Sequence, residues 1–220
     1  MKWLAILTCS LGLSCYSWAA YAVVPAAHIG QGSPNTDGFT TTPANFTGCT
    51  FIGCSVGFFL SVPLTDSGGN TYTCLNTYTN SSGNNSVKIC YVVNPVVSSA
   101  HTFTLTGAAT YGSVACQGFT GQATSPFDQQ IGNSSVLNQT SWQPGIVVPT
   151  EDNELVLASY SQSNAVGATT IDSPFSVTDN VQVGGGAHFG AALAYAIKGA
   201  GTAVININPT WTNPGGTDFG

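Results

Sequence analysis

Alternation of apolar and polar positions, with no helical period, organises most of this chain. From residue 23 onward short runs with a period of two recur between clusters of Gly, Asn and Ser, the signature of strands joined by turns. Residues 50–62, with Phe51, Phe58, Phe59 and Leu60, form an apolar stretch short enough for a buried strand or hairpin. In 101–106, Phe103 and Leu105 alternate with Thr102, Thr104 and Thr106, and 113–119 carries Cys116. Further strands are expected over 154–161, 175–183, 192–198 and 203–208. In 192–198 Leu193, Tyr195 and Ile197 share one face and Ala192, Ala194 and Ala196 the other. The small face allows a sheet to approach closely, so this strand is expected to be central. Residues 23–48, rich in Pro, Gly, Thr and Asn, read as a lead-in with one edge strand.

The clearest local structure runs over 71–93, where two alternating segments flank a turn-rich stretch at 80–85. A turn centred on Ser82 sets Cys74 opposite Cys90, Leu75 opposite Ile89, Thr73 opposite Tyr91 and Thr77 opposite Val87. Directly opposed residues lie about 4.5–5.5 Å apart at Cα, within disulfide reach. One register therefore explains a Cys74–Cys90 bond and an apolar face of Leu75, Ile89 and Tyr91, and a one-residue slip would break both. The fold class expected is all-β: a two-sheet antiparallel sandwich, jelly-roll-like, over 49–220. The chain ends at 217–220 without a closing apolar strand, so an open last edge is expected.

The first residues follow another pattern. Lys2 precedes an apolar run over 3–13, the length of a signal-peptide core and too short to span a bilayer. Small residues stand at cleavage spacing, either Ser17 and Ala19 or Ala20 and Ala22. Residues 1–22 are therefore expected to be a signal peptide, with the mature chain starting between Ala20 and Val23 and no transmembrane anchor. Cys15 raises a lipoprotein alternative, but Gly12, Leu13 and Ser14 match a lipobox poorly.

Charge narrows the partners. Charged residues are 5% of the chain and the net charge is −6. Lys2 leaves with the leader, so Lys88 and Lys198 are the basic residues of the mature domain. Such a surface does not bind nucleic acid, whose phosphates need clustered Lys and Arg. An apolar content of 43% supports a core. Of 7 cysteines, Cys49, Cys54, Cys74, Cys90 and Cys116 outlast the leader, an odd number in a compartment where disulfides are the default.

The run DSGGNTY over 66–72, Tyr91, HTFT over 101–104, PFD over 126–128, NEL over 153–155 and the pair Ala194 and Tyr195 resemble an uncharacterised group of secreted bacterial β-sandwich proteins. The resemblance spans roughly residues 50–210 and implies fold and location. It implies no activity.

Candidate chemistry is sparse. Asp66, Ser67, Gly68, Gly69 and Asn70 gather oxygen donors in a flexible loop, so calcium is the one cofactor on offer, with Asp66 and Asn70 as ligands. An ordinary Asx turn ranks ahead of it. Asp152 and Glu154 sit two apart at a strand start after Glu151, placing two carboxylates on one side about 6.5–7 Å apart, a glycosidase spacing; a solvated turn is the plainer reading. His28, His101 and His188 fall in no triad or metal motif, and surface positions are expected for His101 and His188. Cys116 offers a thiol without an evident activating partner. Trp142, in a polar loop between Gln139 and Pro144, is the first candidate for ligand binding, whereas Trp211 ends an apolar strand. Asn45, Asn80, Asn84, Asn133 and Asn138 open N-x-S/T sequons, which matter only in a eukaryotic secretory pathway.

The function expected is binding or adhesion by a secreted or cell-surface domain, with an extracellular glycan or other surface polymer as ligand. A structural surface subunit comes next. A polysaccharide-active enzyme using Asp152 and Glu154 comes last.

Overall fold

The computed structural model describes residues 20–33, 37–80, 85–107, 111–134, 141, 143–150, 153–163, 169–182, 189–198, 205–206 and 208–211. The expected leader up to residue 19, Asn84, Asn138, Trp142, Glu151, Asp152, His188 and the chain end at 217–220 lie outside them. Every regular element among the described residues is a strand. In chain order these are β1 (Ala22–Gly32), β2 (Gly38–Thr40), β3 (Phe51–Phe58), β4 (Leu64–Asp66), β5 (Thr73–Cys74), β6 (Tyr78–Thr79), β7 (Ser86–Val93) and β8 (Phe103–Thr106). They continue with β9 (Ser113–Thr120), β10 (Ile146–Val147), β11 (Leu155–Ser163), β12 (Thr169–Thr170), β13 (Ser176–Val181), β14 (Phe189–Ile197), β15 (Ile205–Asn206) and β16 (Thr210–Trp211).

All pairings are antiparallel, and the all-β sandwich expected from the alternation is present. It has one more layer than two sheets provide. The central sheet runs β1-β9-β3-β7-β5, with β6 also on β7. One of its faces is covered by β2-β8-β4 and the other by β11-β14-β13. β3 and β9 lie in the middle of this stack, which is why β3 is buried at every position and β9 at all but its last.

The two faces of the central sheet differ in side-chain size because β3 alternates large and small residues. Ile52, Cys54, Val56 and Phe58 point one way and join Cys90, Val92, Val114 and Cys116 in a core closed by Leu64, Phe103 and Leu105 of the covering sheet. Gly53, Ser55 and Gly57 point the other way. A Cβ on Gly53 would lie 2.5 Å from Leu157 Cδ1, and one on Gly57 would lie 2.4 Å from the Gly190 carbonyl oxygen. Ser55 and Ser159 hydroxyls meet at 2.5 Å between the layers, and Tyr195 packs edge-on against Phe119 at 5.4 Å. β14 is central in its sheet, as the 192–198 pattern implies. The side that faces the neighbouring sheet, however, is the one with Leu193 and Tyr195. Ala194 and Ala196 form a smaller outer cluster with Val156 and Phe175. The small residues that permit close approach are on β3.

The 23–48 segment is woven into the domain. β1 is an edge strand of the central sheet, β2 pairs with β8, and Phe46 is fully buried. Register along β1 shifts between Val23 and His28, where Pro25 interrupts the ladder. Gln117 Nε2 satisfies the displaced backbone by donating to the carbonyls of Val24 at 2.9 Å and Ala27 at 3.0 Å.

Four cysteines form one row across neighbouring strands: Cys116 opposes Cys54, Cys54 opposes Cys90, and Cys90 opposes Cys74. They pair as Cys54–Cys116 and Cys74–Cys90, with Cα–Cα distances of 4.1 and 4.0 Å. Cys116 is thus not a free thiol. Among the described residues the unpaired cysteine is Cys49, which is buried, and burial pushes its thiol up to about 11, away from reactivity.

Candidate functional site

Two polar constellations emerge, and each takes up motifs quoted from the sequence. The first is the turn after β4. Asp66 Oδ1 accepts the backbone N–H groups of Gly68 and Asn70, both at 3.0 Å. Its Oδ2 accepts Asn70 Nδ2 at 2.7 Å, the Tyr72 hydroxyl at 2.8 Å and His101 Nε2 at 3.1 Å. Asn70 is spent in turn on the backbone of Val96, which it meets through both Oδ1 and Nδ2. His101 is not at the surface as expected from its place at a strand start. Its side chain is 0% exposed, held between Phe46 and Phe103 with ring centroids at 5.6 and 5.1 Å. The physical reason is a bridge between Ala44 and His101, which brings the 41–46 segment over the ring.

Ser67, His101 and Asp66 are in hydrogen-bond sequence, since Ser67 Oγ lies 3.4 Å from His101 Nδ1. An ionised Asp66 fixes the proton on Nε2, leaving Nδ1 to accept from Ser67. Those are the groups of a nucleophile, base and orienting acid. Yet the Ser67 oxygen also accepts the Thr102 N–H at 3.1 Å, and none of the three residues lines the cleft of the second constellation. The assembly ties β4 to β8. Burial alone would raise the Asp66 carboxyl, but hydrogen bonds from His101, Asn70 and Tyr72 outweigh it and hold it well below the usual carboxylate range. With five donors on two oxygens, Asp66 has the geometry of the expected turn. Among the described residues no group of three or more His, Cys, Asp or Glu is gathered for a metal.

The second constellation is a cleft of about 420 Å³ where β11 leaves the central sheet at its β7 edge. Leu75, Ile89 and Tyr91, the apolar face expected from the hairpin register, form its floor. The hairpin itself carries a correction. Thr73 and Cys74 pair with Tyr91 and Cys90 as expected, but Tyr78, not Thr77, stands opposite Val87. One extra residue is accommodated over 75–77, where the Asn76 N–H turns out of the ladder to Gln130 Oε1 at 3.3 Å. That bulge swaps the faces of the strand, so the Tyr78 ring enters the cleft wall.

Tyr21, Phe51, Tyr78, Tyr91 and Phe127 supply aromatic lining. Phe51 and Tyr91 stack at 5.6 Å, and Tyr21 meets Phe51 edge-on at 5.8 Å. Asn76, Asp128, Gln129, Gln130 and Glu154 supply the polar lining. The Tyr21 phenol is pushed up to about 12, first by burial and then by neighbouring Tyr91 and Glu154. Residues 121–134 and 143–150 cover the cleft and are strapped down: Gln130 Nε2 donates to the Tyr78 hydroxyl at 3.1 Å, Gln129 Nε2 to the Val148 carbonyl, and Gly132 lies flat on the Tyr78 ring. Phe127, Ile131, Ile146 and Val148 remain exposed around it. The motifs PFD and NEL therefore meet at this cleft, while DSGGNTY and HTFT build the Asp66 turn. Glu154 lines the cleft; Asp152, its expected partner carboxylate, and Trp142, the expected ligand-binding residue, lie outside the described residues, although Pro144 lines the wall.

The local turn at Asp66 was readable in advance but its closure by His101 was not, and the cleft was not, because these join segments far apart in sequence. No family model matches the chain, and neither a curated protein nor a solved structure does.

Proposed function

We propose that this protein is exported and acts outside the cell or at its surface as a binding or adhesion module on a jelly-roll-like sandwich, with an extracellular glycan as its ligand. The observation that carries this reading is the cleft. Aromatic faces beside side-chain amides and carboxylates suit a sugar, which offers apolar C–H faces for stacking and hydroxyls for hydrogen bonds. The volume of about 420 Å³ suits a short saccharide segment. Two disulfides fit an oxidising compartment, and no helix among the described residues is long and apolar enough to cross a membrane.

The test is a glycan array followed by calorimetric titration of the best ligand. Phe127 is 47% exposed at the cleft mouth, so Phe127→Ala removes a stacking face without opening the core. It is expected to weaken binding about tenfold, equivalent to ~1.4 kcal/mol. An array without a ligand, or a ligand indifferent to Phe127→Ala, overturns the reading.

A further inference from the structure

We infer that the cleft sorts saccharides by charge: it takes neutral sugars, holds amino sugars with a protonated amine more tightly, and excludes uronates and sulfated glycans. This deepens the glycan reading and rests on it. The placement of the few charges does the sorting. The sequence holds no arginine, and once Lys2 departs with the leader its basic side chains are two lysines and the histidines.

Both lysines are turned away from ligand. Lys88 is 9% exposed, and although its backbone borders the cleft, its ammonium lies on the opposite face of β7. There it donates to the Val62 carbonyl at 2.6 Å and sits 5.0 Å from the Phe58 ring centroid. Lys198 is 8% exposed and does not line the cleft. His28 is bound to Asp179 at 3.1 Å, on the β1 and β13 side of the molecule, and His101 is sealed in the core. A uronate or sulfate entering the cleft therefore meets neither lysine ammonium and neither described histidine, and an anion buried without a cation is strongly disfavoured.

The cleft's own charges are carboxylates from two different segments. Asp128 Oδ2 accepts Gln129 Nε2 at 3.0 Å and the Thr150 N–H at 3.4 Å. Its Oδ1 accepts no hydrogen bond among the described residues. Glu154 stands near Tyr21 and Tyr91 on the wall. An amino sugar stacked on the aromatic floor brings its ammonium into the field of both carboxylates, and the excess of Asp and Glu over Lys in the chain adds a long-range attraction of the same sign.

The experiment titrates the chain begun at Ala20, which keeps Tyr21 in the cleft wall, with four probes of matched length: a β-1,4-linked glucosamine tetramer, its N-acetylated counterpart, a neutral glucose tetramer and an oligogalacturonate. The glucosamine tetramer is expected to bind about fivefold tighter than its N-acetylated counterpart at low ionic strength, the advantage shrinking as salt screens it. Oligogalacturonate is expected not to bind. Asp128→Asn and Glu154→Gln should each lower the ratio of glucosamine to N-acetylglucosamine affinity. Equal affinities insensitive to salt, or uronate binding as strong as neutral binding, overturn charge sorting and leave a glycan cleft standing. Failure of all four probes, together with an empty glycan array, overturns the glycan reading as well. Because the salt series uses the unaltered protein, the inference remains testable should either variant fold poorly.

Discussion

The two faces of the central sheet solve burial in opposite ways. Toward β2-β8-β4 the sheet offers large apolar side chains and the row of paired cysteines, and the space is filled. Toward β11-β14-β13 it offers glycine and serine, and the layers touch backbone to side chain until they part at the β7 edge. The filled face stores stability. The thin face allows an opening, because small residues hold two sheets together over β3 and aromatic ones hold them apart beside β7. A single strand, β3, carries both behaviours through its two-residue period.

The comparison breaks most severely at the rim of the filled face. Asp66→Ala leaves the donors of His101, Asn70 and Tyr72 without an acceptor and is expected to cost about 3–5 kcal/mol in chemical denaturation. The same carboxylate fixes a pH dependence. Its folded-state value is depressed, so its contribution is complete above the unfolded carboxylate value of about 3.9 and is lost as pH falls through the folded value. Denaturation midpoints should therefore drop as pH is lowered from about 5 toward 2, and Asp66→Asn should flatten that slope. An equal slope in both proteins would assign acid sensitivity elsewhere.

The cysteine row gives the next largest effect. Cys54–Cys116 closes a sequence separation of 62 and Cys74–Cys90 one of 16, for which chain entropy gives about 4 and about 3 kcal/mol. Double alanine variants of each pair should rank in that order. Cys74 is exposed at the sheet edge whereas Cys54 and Cys116 are buried, so mild reductant should open Cys74–Cys90 first, as read by mass mapping of alkylated thiols.

How much of this was legible depends on distance along the chain. The strands at β7, β8 and β14 follow from local alternation, and the cysteines pinned the start of the hairpin because a covalent pair and an apolar face agreed. The slip that places Tyr78 opposite Val87 was not legible, since it depends on Gln130, more than fifty residues away. Nor was the third layer, although β3 held a sign of it. A strand that alternates large residues with Gly and Ser, and contains no charge, is built for cover on both faces. His101 read as a surface residue because its partners, Asp66 and the 41–46 segment, approach only in the folded chain. The cleft was hidden for the same reason: its cover reads as loops, and its floor reads as an ordinary apolar face.

Moderate changes separate the faces further. Gly57→Ala places a methyl group 2.4 Å from the backbone oxygen of Gly190, and backbone cannot swing aside, so about 1–3 kcal/mol should be lost. Ile52→Val, five positions earlier on β3 and on the filled face, should cost about 0.5–1.5 kcal/mol by leaving a small void. Thermal or denaturant unfolding of the two variants would reverse the picture of thin and filled faces if Gly57→Ala proved neutral.

The smallest stability effect belongs to the cleft itself. Phe127 is 47% exposed, so about half of its surface already faces water in the folded protein, and little is lost by truncation. Phe127→Ala is expected to change unfolding free energy by no more than about 0.5 kcal/mol. The same substitution is expected to have its full effect on ligand affinity. A residue that matters for binding and hardly at all for folding marks the place where the thin face serves something other than the core. A large loss of stability in Phe127→Ala would instead make the ring a structural plug, and the region between β7 and β11 would then belong to the filled kind.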